Sequence, residues 1–108
     1  MIISTTENVP GYEITEVLGV VIGNIVHSKH LGKDIAAAFK TLAGGEIRSY
    51  TEMMTEARNK ALERMIDEAE KLEADAVIGI RFGSSSVMSG AAEMLAYGTA
   101  VKLTRKQR

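Results

Sequence analysis

The sequence has no cysteine, no tryptophan and a single proline, and only 5% of it is aromatic. Without cysteine there is no disulfide, no thiolate metal centre and no thiol nucleophile, whatever compartment the chain occupies. Apolar residues make up 45% of the sequence, yet no run of them approaches the ~20 residues needed to cross a bilayer. The longest, Val17–Ile22, is strand-sized. Met1-Ile2-Ile3-Ser4 lacks the basic region and apolar stretch of a secretory signal, so the expected location is the cytoplasm, with no membrane partner. An excess of one charge is missing as well. Thirteen basic residues face fourteen acidic ones, which argues against nucleic acid as a partner. The basic residues do gather towards the C-terminus, where four fall in the last seven positions. A solvated end that keeps the last strand soluble accounts for them.

What is present is enough for one domain, residues 1–108, around one core, with roughly two thirds of the unfolded chain's surface buried on folding. Ile2–Thr5 is a short strand candidate, followed by a turn at Asn8-Val9-Pro10-Gly11. Tyr12–Val26 is dense in isoleucine and valine and reads as a strand, but it does not alternate cleanly. Val17, Leu18, Val20, Val21 and Ile22 place apolar groups on both faces, whereas a sheet with one wet face alternates. One face can take a helix. The other needs a different cover, and in so short a chain the obvious one is a second copy. Gly19 and Gly23 interrupt the run and predict a bulge or bend.

Gly32–Ala43 has Ile35, Ala38, Phe39 and Leu42 at helical spacing, with Gly44 as its stop and Gly44-Gly45 opening a loop. Tyr50–Glu73 is the clearest helix. Ser49 and Glu52 form a capping-box pattern, and Met54, Ala57, Ala61, Met65, Ala69 and Leu72 make one apolar stripe. Glu56–Lys60, Arg64–Glu68 and Asp67–Lys71 sit four apart on the charged side. At 1.5 Å per residue this helix is about 36 Å long, enough to span a sheet or overhang onto a neighbour. Two strands, Ala76–Phe82 and Met94–Leu103, close the chain as antiparallel neighbours, with Gly83–Gly90 between them as a polar loop. The expected order is β-β-α-α-β-β.

Several segments carry a resemblance beyond composition: Ser4-Thr5-Thr6, Gly19-Val20-Val21 with Gly23, Asp34, Gly44-Gly45-Glu46 with Tyr50, and Glu56-Ala57-Arg58. Ala74-Asp75-Ala76-Val77-Ile78-Gly79 and Gly90-Ala91-Ala92-Glu93, leading into Ala96-Tyr97-Gly98-Thr99-Ala100-Val101, are the most specific. On these the chain resembles the YbjQ-like family of small bacterial proteins labelled as heavy-metal binders, nearly end to end. The resemblance implies an α+β subunit of two layers, an antiparallel sheet with one long and one short helix. It also implies a dodecin-like fold assembled into a closed ring, a homo-oligomer of five, and no established activity. Where that family turns through glycine after the long helix, this chain has Glu73. A side chain in a left-handed cap costs on the order of 1 kcal/mol.

The residues offer little chemistry. A metal centre needs several donors converging on one point, and the only histidines are His27 and His30, beside Lys29 in an expected loop. They are the metal-ligand candidates, against the plainer reading of two solvated loop histidines. Ser84-Ser85-Ser86 offers hydroxyls with no base at a recognisable spacing. Arg58 lies beside the apolar stripe, and its expected partners are Asp34, Glu93 or Asp75. A structural ion pair explains it better than a substrate-binding arginine does. Asp34, Arg58 and Glu93 are therefore candidates for an interface or a ligand, and no catalytic residue is assigned. The leading expectation is a non-enzymatic ring-forming oligomer, partnered by itself, that holds a small ligand at a subunit interface or in the pore. A metal-ion binder with symmetry-related donors and an enzyme with an inter-subunit site are the alternatives. No cofactor is expected beyond the metal ion of the first alternative. Calorimetric titration with Zn²⁺ or Cu²⁺ is expected to show no submicromolar stoichiometric binding. Such binding, abolished in the His27→Ala/His30→Ala variant, would revive the metal reading.

Overall fold

The computed structural model describes residues 1–27, 45–88 and 91–107. The short helix expected over Gly32–Ala43, together with His30 and Asp34, lies outside the described residues. The chain runs as strand β1 (Ile2–Ile3), strand β2 (Tyr12–His27), helix α1 (Gly45–Lys71), strand β3 (Ala76–Met88) and strand β4 (Ala91–Arg105). The strands form one sheet in the order β1-β3-β4-β2. Both long pairings, β2 with β4 and β3 with β4, are antiparallel as expected. β1 pairs parallel to β3, so the sheet is mixed rather than antiparallel. A two-residue strand costs little to lay in either direction.

Two strands are longer than the sequence suggests. Gly83–Met88 is strand, not loop, and β4 begins at Ala91 rather than Met94, with pairing continuing to Met88↔Ala91. The serines looked like loop because they have no apolar alternation. Cross-strand bonding to β4 satisfies their backbone instead, and a strand with wet faces needs no apolar side chains. The 16-residue β2 and 15-residue β4 each span roughly 50 Å at about 3.3 Å per residue. The molecule is accordingly elongated, 60 × 26 × 17 Å, with a radius of gyration of 17.6 Å against about 13 Å for a compact domain of this length.

The turn into β2 takes the expected form. The Tyr12 amide donates to the Val9 carbonyl at 3.0 Å, Pro10 occupies the second position, and Gly11 adopts φ 87° at the third. This is a type II turn, which requires that left-handed third residue. A register shift between Val17 and Gly19 marks the expected bulge.

α1 is one uninterrupted helix, but it starts at Gly45, so Ser49 lies inside it and does not cap it. Its end is a Schellman turn. The Ala74 amide donates to the Ala69 carbonyl at 3.1 Å and the Glu73 amide to the Glu70 carbonyl at 2.9 Å. Glu73 itself takes the left-handed position, φ 60°, where the family resemblance places glycine. On the solvent side the lysines bond to carboxylates three residues away, Lys60 to Glu63 at 3.8 Å and Lys71 to Glu68 at 3.4 Å, rather than four. Both pairs are exposed, and such pairs contribute little.

The helix lies against β2 and β4. Ala57, Ala61, Met65 and Ala69 are buried and pack with Val21, Val77, Ile80, Met94, Ala96 and Ala100. Small side chains along the helix bring its backbone close to the sheet, and at Gly23 the approach is closest. A Cβ there would fall against the Ala61 carbonyl oxygen and the Met65 amide nitrogen, with the Arg64 carbonyl carbon 2.9 Å away. Gly23 therefore serves close packing rather than the bend the sequence suggests. At Gly83 a Cβ would meet nothing within 4 Å.

Residues that alternate with these face the other way. At the β1 end that second face carries its own cluster of Val9, Ala76, Ile78 and Val101, with Ile2, Tyr12 and Leu103 packed against it. The N-terminal segment folds over this end and is held by Arg81, whose guanidinium donates to the Thr5 carbonyl at 3.0 Å. Beyond the segment, among the described residues, the face is bare.

Two outcomes follow in denaturant or thermal unfolding. Gly23→Ala is expected to cost at least the upper end of the ~1–3 kcal/mol of overpacking, because the obstructing atoms are backbone, whereas Gly83→Ala stays within about 1 kcal/mol of the parent. Glu73→Gly is expected to add about 1 kcal/mol by relieving the left-handed cap, seen as a rise of several degrees in Tm.

Candidate functional site

The bare part of the second face is the feature with the strongest functional content. β2 and β4 residues paired across the ladder share a face, so Val20↔Thr99, Ile22↔Tyr97 and Val26↔Glu93 all point away from the helix. Val17, Val20, Ile22 and Val26 are 66%, 69%, 51% and 53% exposed, while Val21, between two of them, is buried. The two-sided apolar pattern of the sequence thus resolves into one face spent on α1 and one left open. An exposed apolar stripe of this kind on a strand is a candidate interaction surface.

One polar pair breaks the stripe. The Asn24 side-chain amide donates to the Glu93 carboxylate at 2.9 Å. Behind them the Arg64 guanidinium donates to the Asn24 carbonyl at 2.7 Å, tying the helix to the same stretch of β2. Glu93 is a half-buried residue whose carboxylate is held by Asn24 beside exposed valine and isoleucine.

Of the other residues singled out in the sequence, Arg58 and Asp75 do not join it. Arg58 is exposed, and its guanidinium reaches the Thr55 hydroxyl at 3.4 Å. Of its three expected acidic partners, Glu93 is bonded to Asn24. Asp75 accepts from the Leu103 amide at 2.8 Å, and Asp34 lies outside the described residues. His27 is the last residue of β2, paired with Ala92, and not part of a loop. Extension of the ladder past Val26 decides this, because backbone pairing continues where the apolar pattern has stopped. Among the described residues, no group of three or more histidine, aspartate or glutamate side chains stands close enough to hold a metal ion.

The Asn24–Glu93 pair was missed in the sequence, where Glu93 was a candidate without a partner. Sixty-nine positions separate the two, and only the β2–β4 register brings them together. A concavity of about 440 Å³ lies at the opposite end of the sheet, lined by Glu13, Thr104, Arg105, Lys106 and Gln107. The Arg105 guanidinium stands 5.7 Å from the centre of the Tyr12 ring. All five lining residues are exposed, which suits the solvated basic tail expected from the sequence. Among the described residues no helix is long and apolar enough to cross a membrane.

The chain is similar to many small proteins of the same length. A protein of Thermosipho africanus named "UPF0145 protein" is 81% identical over 105 residues, covering 97% of each chain. Its namesake in Thermotoga maritima is 76% identical over 105 residues, covering 97% of this chain and 99% of that one. One in Vibrio campbellii is 62% identical over 103 residues, covering 95% and 99%. A solved structure from Pediococcus pentosaceus, described as a protein of unknown function of the DUF74 family, matches with a TM-score of 0.64. It covers 96% of this chain and 98% of that one at 22% identity, a likeness of fold. The family model YbjQ_1, described as "Putative heavy-metal-binding", matches residues 1–104. The chain therefore belongs to the YbjQ family, as the segments from Ala74 to Val101 suggested.

Proposed function

We propose that this protein works as a homo-oligomer whose subunits meet through the open face and edge of β2, and that the assembly, rather than the single chain, is the functional unit. The observation that carries the reading is the exposed stripe Val17, Val20, Ile22 and Val26 on a strand at the edge of the sheet. Soluble monomers rarely leave such a patch bare. They also blunt a long edge strand with proline, lysine or a covering element. β2 carries neither proline nor lysine, and among its described neighbours only β4 pairs with it. Burying a valine or isoleucine side chain fully contributes about 1.5–3 kcal/mol, so four of them supply a useful fraction of an association energy.

The assembly is a closed ring, and five subunits is the number the family resemblance implies. Asn24 and Glu93 supply the polar point within the contact where a small ligand held between subunits finds hydrogen bonds.

Native mass spectrometry of the intact protein is expected to report a single oligomer well above the monomer mass, with any retained ligand as a fixed extra mass. Val20→Glu/Ile22→Glu is expected to shift the population to monomer, whereas Lys60→Glu, on the helix's solvent side, leaves it assembled. A parent protein that is monomeric at micromolar concentration defeats the reading.

A further inference from the structure

At the end of the sheet away from Asn24 and Glu93, opposite charges line one hollow without neutralising each other. β2 begins there and β4 ends there, with Tyr12↔Arg105 and Glu13↔Thr104 as the last rungs of their ladder. Past the last rung the Lys106 amide donates to the Gly11 carbonyl at 2.9 Å. The chain leaving β4 is thereby anchored on the Pro10-Gly11 turn instead of trailing free. The concavity of about 440 Å³ lined by Glu13, Thr104, Arg105, Lys106 and Gln107 therefore has fixed backbone on both sides. Tyr12 packs against the small core around Val101, and the Arg105 guanidinium stands 5.7 Å from the centre of its ring, within cation–π range. Both ion pairs among the described residues lie on α1, so Arg105 and Lys106 are not paired with Glu13 although all three line the same space.

We infer that this hollow binds a small phosphate monoester bearing hydroxyl groups, with Arg105 and Lys106 on the phosphate and Glu13 on a hydroxyl. The site is separate from Asn24 and Glu93 and does not depend on how subunits meet. Two cations match the charge of a monoester, which approaches −2 at pH 7. The arginine fork offers paired N–H donors to phosphate oxygens and the lysine adds a compact point charge. The Tyr12 ring restrains the guanidinium before any ligand arrives, which lowers the entropy lost on binding. Thr104 and Gln107 bring further side-chain donors to the lining. Glu13 narrows the class. A carboxylate repels a bare oxyanion brought close to it, but it accepts a hydrogen bond from a hydroxyl held a few bonds away from the phosphate. A monoester with hydroxyls therefore suits the lining better than inorganic phosphate does. The volume is in the lower part of the ~300–1,000 Å³ of small-molecule sites, which suits a compact ligand. A nucleic-acid strand needs a basic groove that continues along its backbone, and here Glu13 interrupts the positive charge.

The test is calorimetric titration of the full-length protein with glycerol phosphate, inorganic phosphate and glycerol. Salt is held at about 0.15 M, where attraction between exposed charges is screened beyond ~8 Å. Glycerol phosphate is expected to bind saturably at one per chain, inorganic phosphate more weakly and glycerol not at all. Arg105→Gln and Lys106→Gln are each expected to weaken glycerol phosphate about tenfold or more, whereas Lys60→Gln on the helix leaves it unchanged. Glu13→Ala is expected to narrow the gap between glycerol phosphate and inorganic phosphate several-fold, by relieving the bare anion of repulsion and denying the ester its acceptor. All four substituted residues are exposed, and unchanged thermal unfolding of each variant confirms that the fold is intact. The absence of saturable binding by glycerol phosphate would overturn the inference. So would equal losses in Arg105→Gln and Lys60→Gln, which would reduce the effect to diffuse charge. Binding that survives in Arg105→Gln/Lys106→Gln would put the ligand elsewhere and overturn the site. A gap that Glu13→Ala leaves unchanged would overturn the ligand class.

Discussion

The contact on which the rest of the structure depends is the approach of α1 to Gly23. The helix presents Ala57, Ala61 and Ala69 where larger side chains would hold it off, and β2 answers with the one residue that leaves room for the helix backbone itself. Close approach is what lets so short a chain bury Met65 and Val77 completely, because dispersion contacts fall away within an ångström of extra separation. Arg64 reinforces the same point by bonding to the Asn24 carbonyl next to Gly23. The helix is thereby committed to one face of β2, and Val17, Val20, Ile22 and Val26 on the other face stay exposed.

That division explains why the two sheet faces have such different fates. On the helix side the core is continuous from Met94 to Ala100. On the far side the N-terminal segment closes a small second core around Val101 and stops. Val17, Val20, Ile22 and Val26 lie past its reach. The asymmetry extends to the edges, since the same segment shields only the first half of β3. The bare face and the bare edges are thus consequences of one fact: the chain has one helix's worth and one short strap's worth of covering material in its described residues, and a sheet some 50 Å long to cover.

Chemistry is sparse by the same logic. The candidate polar residues are spread over elements that each do structural work: Asp75 binds the Leu103 amide, Arg81 pins the strap, and Arg64 ties helix to strand. Glu93 with Asn24 is the exception, a fixed polar pair in the middle of an apolar surface. Its position beside the exposed stripe separates it from Arg58, with which the sequence had grouped it.

Periodicity alone determined the long helix, the three long strands, the antiparallel pairing of the last two and the two-sided apolar character of β2, because side-chain spacing reports directly on which faces must be buried. Pro10-Gly11 determined the turn, a property of backbone sterics at single residues, whereas a left-handed cap at Glu73 was suggested only by the family resemblance and was decided by the structure. Family membership was legible in the segments from Ala74 to Val101. Tertiary structure decided the rest. It set the start of α1 at Gly45 rather than at the Ser49 cap pattern, the strand state of Gly83–Met88, the parallel β1, the use of Gly23 for close packing and the meeting of Asn24 with Glu93. Each of these rests on hydrogen bonds or contacts between residues far apart in the chain. A local pattern carries no record of which distant backbone will satisfy an amide or which helix will need a missing side chain.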